Sequence, residues 1–253
     1  MSVLNGKVVI VTGGSRGMGR RFVEALVANG AKVACLARAS ADLDGLAAEF
    51  GASVAAIACD VASSTEVNAA IAEAAKRFGK IDALVNNAAI FHPFAIEDAT
   101  DDHVRQHIDI NLTAIVWLTR AAIPHLKKTR GQIISISSES VRLPFPTLAL
   151  YAATKAGVET LSAGLRDELR ADGVRVSVLR SGSVAGGTGS RSWAPGAGAA
   201  FMERIKKSGH LAFTGEAASP QSMAQALLAL LTLPADVNVD LMEARAAAAK
   251  EGL

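Results

Sequence analysis

Short runs of apolar and β-branched residues alternate along this chain with longer stretches in which apolar positions recur every three to four residues. The short runs predict strands over Val8–Thr12, Lys32–Ala37, Val54–Cys59, Ala83–Asn86, Gln132–Ser137 and Val174–Leu179. The longer stretches predict helices over Arg20–Asn29, Ser40–Phe50, Ser64–Phe78, His103–Lys128 and Tyr151–Ala171. Gly30 and Gly79 fall where the first and third of these helices should stop. Strands alternating with helices imply an α/β architecture, a doubly wound and mostly parallel sheet with helices on both faces.

After the sixth strand the texture changes. Residues Ser181–Ser192 are rich in glycine and serine, and the stretch runs on through Trp193 and Pro195 to Phe201 and Met202 on an expected short helix. A long loop beyond the carboxyl end of a strand, where open α/β sheets bind ligands, predicts a substrate lid at about residues 186–214. A last helix, Ser222–Leu233, precedes Val237–Met242, an expected edge strand that brings the sheet to seven. The Ala-rich tail from Ala244 is expected to be frayed or helical. No linker, low-complexity tract or repeat divides the chain, so one domain over residues 1–253 is expected.

Half of the residues are hydrophobic but only 4% are aromatic, so the core must be built from Ala, Val, Leu and Ile. That composition suits a buried parallel sheet. A net charge of +2 makes no case for nucleic acid or an acidic membrane surface. No apolar run reaches the ~18 residues of a membrane span. The chain enters its first strand almost at once, without the features of a secretion signal. Cys35 and Cys59 fall in strand-like runs, as small buried hydrophobes do, and a cytoplasmic location is expected. Among the five histidines only His103 and His107 share helical spacing, without a third partner, so no metal is expected.

Two groups of residues turn the picture toward chemistry. The first strand runs into Thr12-Gly13-Gly14-Ser15-Arg16-Gly17-Met18-Gly19, and a helix follows. A glycine turn between strand and helix lets backbone approach a pyrophosphate, which rests on the helix N-terminus. No Gly-Lys-Ser/Thr follows, which excludes a Walker-type triphosphate site. The second group is Tyr151, the one tyrosine of the chain, with Lys155 four residues on. On a helix the two share a face, and a neighbouring ammonium lowers a phenol pKa from its usual ~10. Such a pair is a candidate proton donor for alcohol/ketone interconversion.

Gly13-x3-Gly17-x-Gly19, Asn86-Asn87-Ala88, Asn111, Ser138, Tyr151 and Lys155, in this order and spacing, resemble the short-chain dehydrogenase/reductase family in its short single-domain branch. The resemblance implies a Rossmann-type fold that holds a nicotinamide dinucleotide at Gly13, Ser15, Arg16, Gly17, Met18 and Gly19. Asp60 and Val61 would meet its adenine, Asn87 and Ala88 would line it, and Val184 would meet its carboxamide. Asn86 is expected to stabilise the sheet. Tyr151 is implied as general acid in reduction and base in oxidation. Lys155 would lower its pKa and, with Tyr151, hold the nicotinamide ribose. Ser138 would bind the substrate oxygen, and Asn111 a water that extends the proton relay. Ser135, Ser137 and Ser140 compete with Ser138, and the resemblance alone selects among them. NAD-selective members place an acid at the end of the second strand. Here that end reads Leu36-Ala37-Arg38, so Arg38 and Arg16 predict NADP(H) in preference to NAD(H).

The chain departs from the family pattern in places. Ala89 replaces a usual Gly, Ser181-Gly182 replaces Pro-Gly, and Gly186 stands where a Thr is usual, leaving open whether Thr188 supplies that phosphate contact. Arg180 either selects an anionic substrate or, more simply, pairs with a nearby carboxylate. Trp193, Phe201, Met202 and Phe213 suggest an apolar lid, with His92, Phe94 and Phe145 opposite. The tail Ser219–Met242 is similar to that of 3-hydroxy acid and serine dehydrogenase-like members. The implied function is an NADP(H)-dependent oxidoreductase interconverting a ketone and a secondary alcohol, hydroxy acids included. A sugar-nucleotide epimerase or dehydratase relative, or a non-catalytic NADP-binding regulator, are the alternatives. The small residues Ala153, Ala156, Gly157, Ala163 and Gly164, with the family's habit, predict a homotetramer or homodimer.

Overall fold

The computed structural model describes residues 3–187 and 189–247. Seven strands, β1 (Val8–Thr12), β2 (Lys32–Ala37), β3 (Val54–Ala58), β4 (Ala83–Asn86), β5 (Gln132–Ser138), β6 (Arg175–Ser181) and β7 (Leu241–Ala244), form one sheet in the order β3-β2-β1-β4-β5-β6-β7. Every neighbouring pair is parallel. The strand order reverses between β1 and β4, which opens a crevice at their carboxyl ends.

Alternation along the strands sorts the core into two layers. Val9 and Val11 of β1 pack with Phe22, Val23 and Leu26 of α1 (Gly17–Ala28), with α2 (Ala41–Phe50), and with Leu227 of α9 (Pro220–Leu231). Ile10 points the other way, toward Ile71 of α3 (Ser64–Phe78), Leu118 of α5 (Ala114–Thr129) and Leu169 of α6 (Ala149–Leu169). The remaining helices are α4 (Asp101–Ile108), α7 (Ala197–Lys207) and α8 (His210–Thr214). No described helix is long and apolar enough to cross a membrane.

Two elements differ from expectation for identifiable reasons. The last strand starts at Leu241 rather than Val237, because the Asn238 side chain takes up the backbone of Val176, accepting from its N–H at 3.1 Å and donating to its carbonyl at 3.2 Å. Arg175 meanwhile donates to the Val237 carbonyl at 3.1 Å, so side chains do the work of a ladder there. The expected helix His103–Lys128 is α4 and α5 joined by a π turn, Asp109–Thr113, that contains the fully buried Asn111. Such turns gather at functional sites. Ala244 ends β7 and is not part of a helical tail; residues 248–253 lie outside the described residues.

Candidate active site

The turn after β1 is stitched to the turn after β4. The Thr12 hydroxyl accepts from the backbone N–H groups of Asn87 and Ala88, both at 3.0 Å, and the Asn87 amide donates to the Thr12 carbonyl at 2.8 Å. Gly13 has φ +64°, and a Cβ on it would press on the Ala88 backbone. A Cβ on Gly19 would overlap the Gly13 carbonyl oxygen, so only glycine lets α1 start this close to the turn. Arg16, at the N-cap of α1, makes no side-chain cap, and the first turn carries no acid. The helix therefore presents free N–H groups to an anion.

These turns open onto a cavity of about 1390 Å³ that runs across the carboxyl ends of the strands. Every residue predicted to touch cofactor lines it, from Arg38 and Asp60 beyond β2 and β3 to Tyr151, Lys155 and Val184 on the other side. Ser138 lines it as well; Asn111 does not. Thr188 lies outside the described residues. Arg16 and Arg38 are exposed and form no ion pair with a described residue, in contrast to Arg20, which is held by Glu24 and Glu49. Asp42 lines the same end, a carboxylate the second strand's ending did not announce. Asn86 is buried and donates to the Ser135 hydroxyl at 3.4 Å, inside the sheet as expected.

Tyr151 and Lys155 lie on α6 with the ammonium 5.9 Å from the ring centroid. The Lys155 side chain is 2% exposed, and its ammonium donates to the Ile136 carbonyl at 2.8 Å. Burial pushes its pKa down to about 8. Burial likewise pushes the Tyr151 phenol up to about 12; the Ser138 hydroxyl bond favours the phenolate, and the charge of Glu139 opposes it. The Lys155 ammonium is turned to the Ile136 carbonyl, and burial is the largest cause of the phenol's shift. Ser137, one of the competing serines, is committed elsewhere, donating to Glu159 at 2.6 Å.

Glu139 escaped the sequence reading although it directly follows Ser138. It is 4% exposed, lines the cavity, and its Oε2 has no hydrogen-bond partner. Burial raises its pKa, against the pull of Arg245. Arg180 takes the simpler of its two readings. Its guanidinium forks onto Glu159 at 2.9 and 2.6 Å and reaches Glu243 at 3.1 Å, and it does not line the cavity. Phe213 is no part of the wall either, lying under the guanidinium groups of Arg142 and Arg245. His92 and Phe145 line the cavity as expected, whereas Phe94 stacks on His103 4.8 Å away.

The pattern of the short chain dehydrogenase family matches residues 7–195. This chain belongs to that family. The L-fucose dehydrogenase of Bos taurus is 36% identical over 181 residues, 71% of this chain and 66% of that one. Among solved structures, a 3-ketoacyl-(acyl-carrier-protein) reductase from Brucella melitensis complexed with NADH superposes with a TM-score of 0.83 at 28% identity, over 95% of this chain and 97% of that one. The closed form of a serine dehydrogenase complexed with NADP+ gives 0.85 at 28% identity, over 97% and 98%. This short chain dehydrogenase is thus an oxidoreductase of alcohol- and ketone-type substrates.

Proposed function

We propose that this short chain dehydrogenase interconverts a ketone and a secondary alcohol with NADP(H), using Tyr151 as the proton-transferring group. The observation that carries the reading is the convergence of Tyr151, Ser138 and Lys155 in one cavity with the glycine turn and two unpaired guanidinium groups. The residues present fit the cofactor. Free N–H groups of α1 and the Gly13–Gly19 turn suit a pyrophosphate, and Arg16 and Arg38 suit a 2′-phosphate in spite of the carboxylate of Asp42. Asp60 and Val61 would flank the adenine, while Tyr151, Lys155, Asn87, Ala88 and Val184 would hold the nicotinamide half. When bound, the nicotinamide supplies or accepts the hydride.

In reduction the carbonyl takes a hydride at carbon and the Tyr151 proton at oxygen, giving the alcohol. A phenol with its pKa near 12 is protonated at neutral pH and so is ready to donate. The Ser138 hydroxyl donates to the oxygen as it gains charge. Asn111 takes a positioning role behind the cavity, and the segment over residues 186–214 acts as the substrate lid. The exposed small residues Ala153, Ala163 and Gly164 on α6 suit self-association, which light scattering would register. Fluorescence titration of the wild type and Arg38→Asp with NADPH and NADH tests the cofactor assignment. The variant should lose at least about tenfold in NADPH affinity with little change for NADH. Equal losses would remove Arg38 as the phosphate reader.

A further inference from the structure

The substrate half of the cavity is walled by rings and aliphatic groups. Phe91 lies 5.8 Å from Tyr151 and edge-on to Trp193 at 5.1 Å; Trp193 in turn meets Phe201 edge-on at 5.9 Å, and Phe201 lies 6.5 Å from Phe145. Tyr151 itself packs into the cluster of Phe145, Leu148 and Ile205. The Trp193 indole N–H donates to the Phe91 carbonyl at 2.6 Å, which fixes the lid to the wall. A second hollow of about 480 Å³, lined by Trp193, shares Phe91, Val184, Gly187, Phe201 and Met202 as walls with the main cavity.

Charge is distributed unevenly along the cavity. Among the described residues its cations are Arg16, Arg38 and Lys155. The first two stand at the glycine turn and the end of β2, remote from Tyr151 across the sheet, and the third is bound to the Ile136 carbonyl. Arg180 is consumed by Glu159 and Glu243. His92 lines the wall, but burial pushes its imidazole toward the neutral form. The acid Glu139, by contrast, lies beside Tyr151. A carboxylate entering here would shed water to meet one buried ammonium, Lys155, already hydrogen-bonded to the Ile136 carbonyl, with Glu139 opposing it, an unfavourable exchange.

We propose that the substrate is an uncharged ketone or secondary alcohol bearing a hydrophobic, ring-sized substituent, which seats against Phe91 beneath Trp193 and Phe201. The inference rests on the ketone/alcohol reading above and narrows it, setting aside hydroxy acids. The matched probes are 4-phenylbutan-2-one and 4-oxopentanoate, which differ only by phenyl in place of carboxylate on the same carbon. With NADPH, kcat/KM should favour the phenyl ketone by at least about a hundredfold. In Trp193→Ala and Phe201→Ala that ratio should fall by about tenfold or more. Because both substrates are measured on one preparation, partial loss of folded enzyme cancels. Equal or better turnover of 4-oxopentanoate, or an unchanged ratio in both variants, overturns this inference alone. Turnover of neither probe, nor of any ketone in a broad panel, by protein that binds NADPH overturns the underlying reading and this one with it.

Discussion

The Asn111 carboxamide closes both backbone groups of Ile90, accepting from its N–H and donating to its carbonyl, each at 2.9 Å. It also donates to the Thr154 hydroxyl at 3.2 Å, which ties α6 to the same point. Ile90 precedes Phe91, the ring nearest Tyr151 on the substrate side. A fully buried residue outside the cavity thereby sets its wall.

Asn111→Ala should leave a buried amide and carbonyl without partners and cost about 2–4 kcal/mol of stability. Asn111→Asp keeps the acceptor for Ile90 N–H but sets a buried carboxylate oxygen against the Ile90 carbonyl, and should cost at least as much as alanine. Urea unfolding midpoints order the three, and an alanine variant as stable as the wild type would refute the positioning role.

Arg180 is 15% exposed and answers two carboxylates. Arg180→Met should strand Glu159 and Glu243 and cost about 2–3 kcal/mol, reduced from a fully buried pair by the residual exposure. Thermal melts at pH 7 read the loss; a variant as stable as the wild type would mean the ion pairs contribute nothing net.

His107 needs its neutral ring. Its Nδ1 faces the His103 carbonyl at 2.8 Å and its Nε2 accepts from the His92 N–H at 3.1 Å. Burial lowers its pKa below the unfolded value of ~6.5. The contribution to stability is thus complete above that value and is lost as pH falls through the lower folded value. His92 moves the same way. His107→Gln should flatten the stability profile between pH 7 and pH 5, and a profile as steep as the wild type's would place the sensitivity elsewhere.

Tyr151 should make the reaction direction depend on pH. With the phenol held near 12, reduction has its acid across the neutral range, while oxidation gains its base only as pH climbs toward that value. Alcohol oxidation should accelerate from pH 7 to pH 10 as ketone reduction stays level. Parallel profiles for the two directions would point to a different titrating group.

Much of this was legible in the sequence where signals are local. β1, β2, β4 and α3 fall on their expected bounds because apolar runs with a period are closed by glycine or a turn. The glycine turn and the Tyr151–Lys155 pair were readable from spacing and Ser138 from the family resemblance, and the fold brings them to one cavity. What escaped is nonlocal. Arg180 meets Glu159 and Glu243 from 21 and 63 residues away. The π turn depends on the Ile90 backbone lying opposite Asn111. The direction of the Tyr151 pKa follows from burial that only the packed helices create. Glu139 left a readable trace, an acid beside the strand-end serine in Ile136-Ser137-Ser138-Glu139, whose meaning came with its burial.

The central claim is that Tyr151 moves the proton and carries only a small share of the cofactor's binding, and Tyr151→Phe tests it most directly. NADPH affinity by fluorescence titration should stay within about threefold of wild type while kcat for ketone reduction falls by about a thousandfold. Turnover within about tenfold of wild type, with NADPH still bound, would contradict the account.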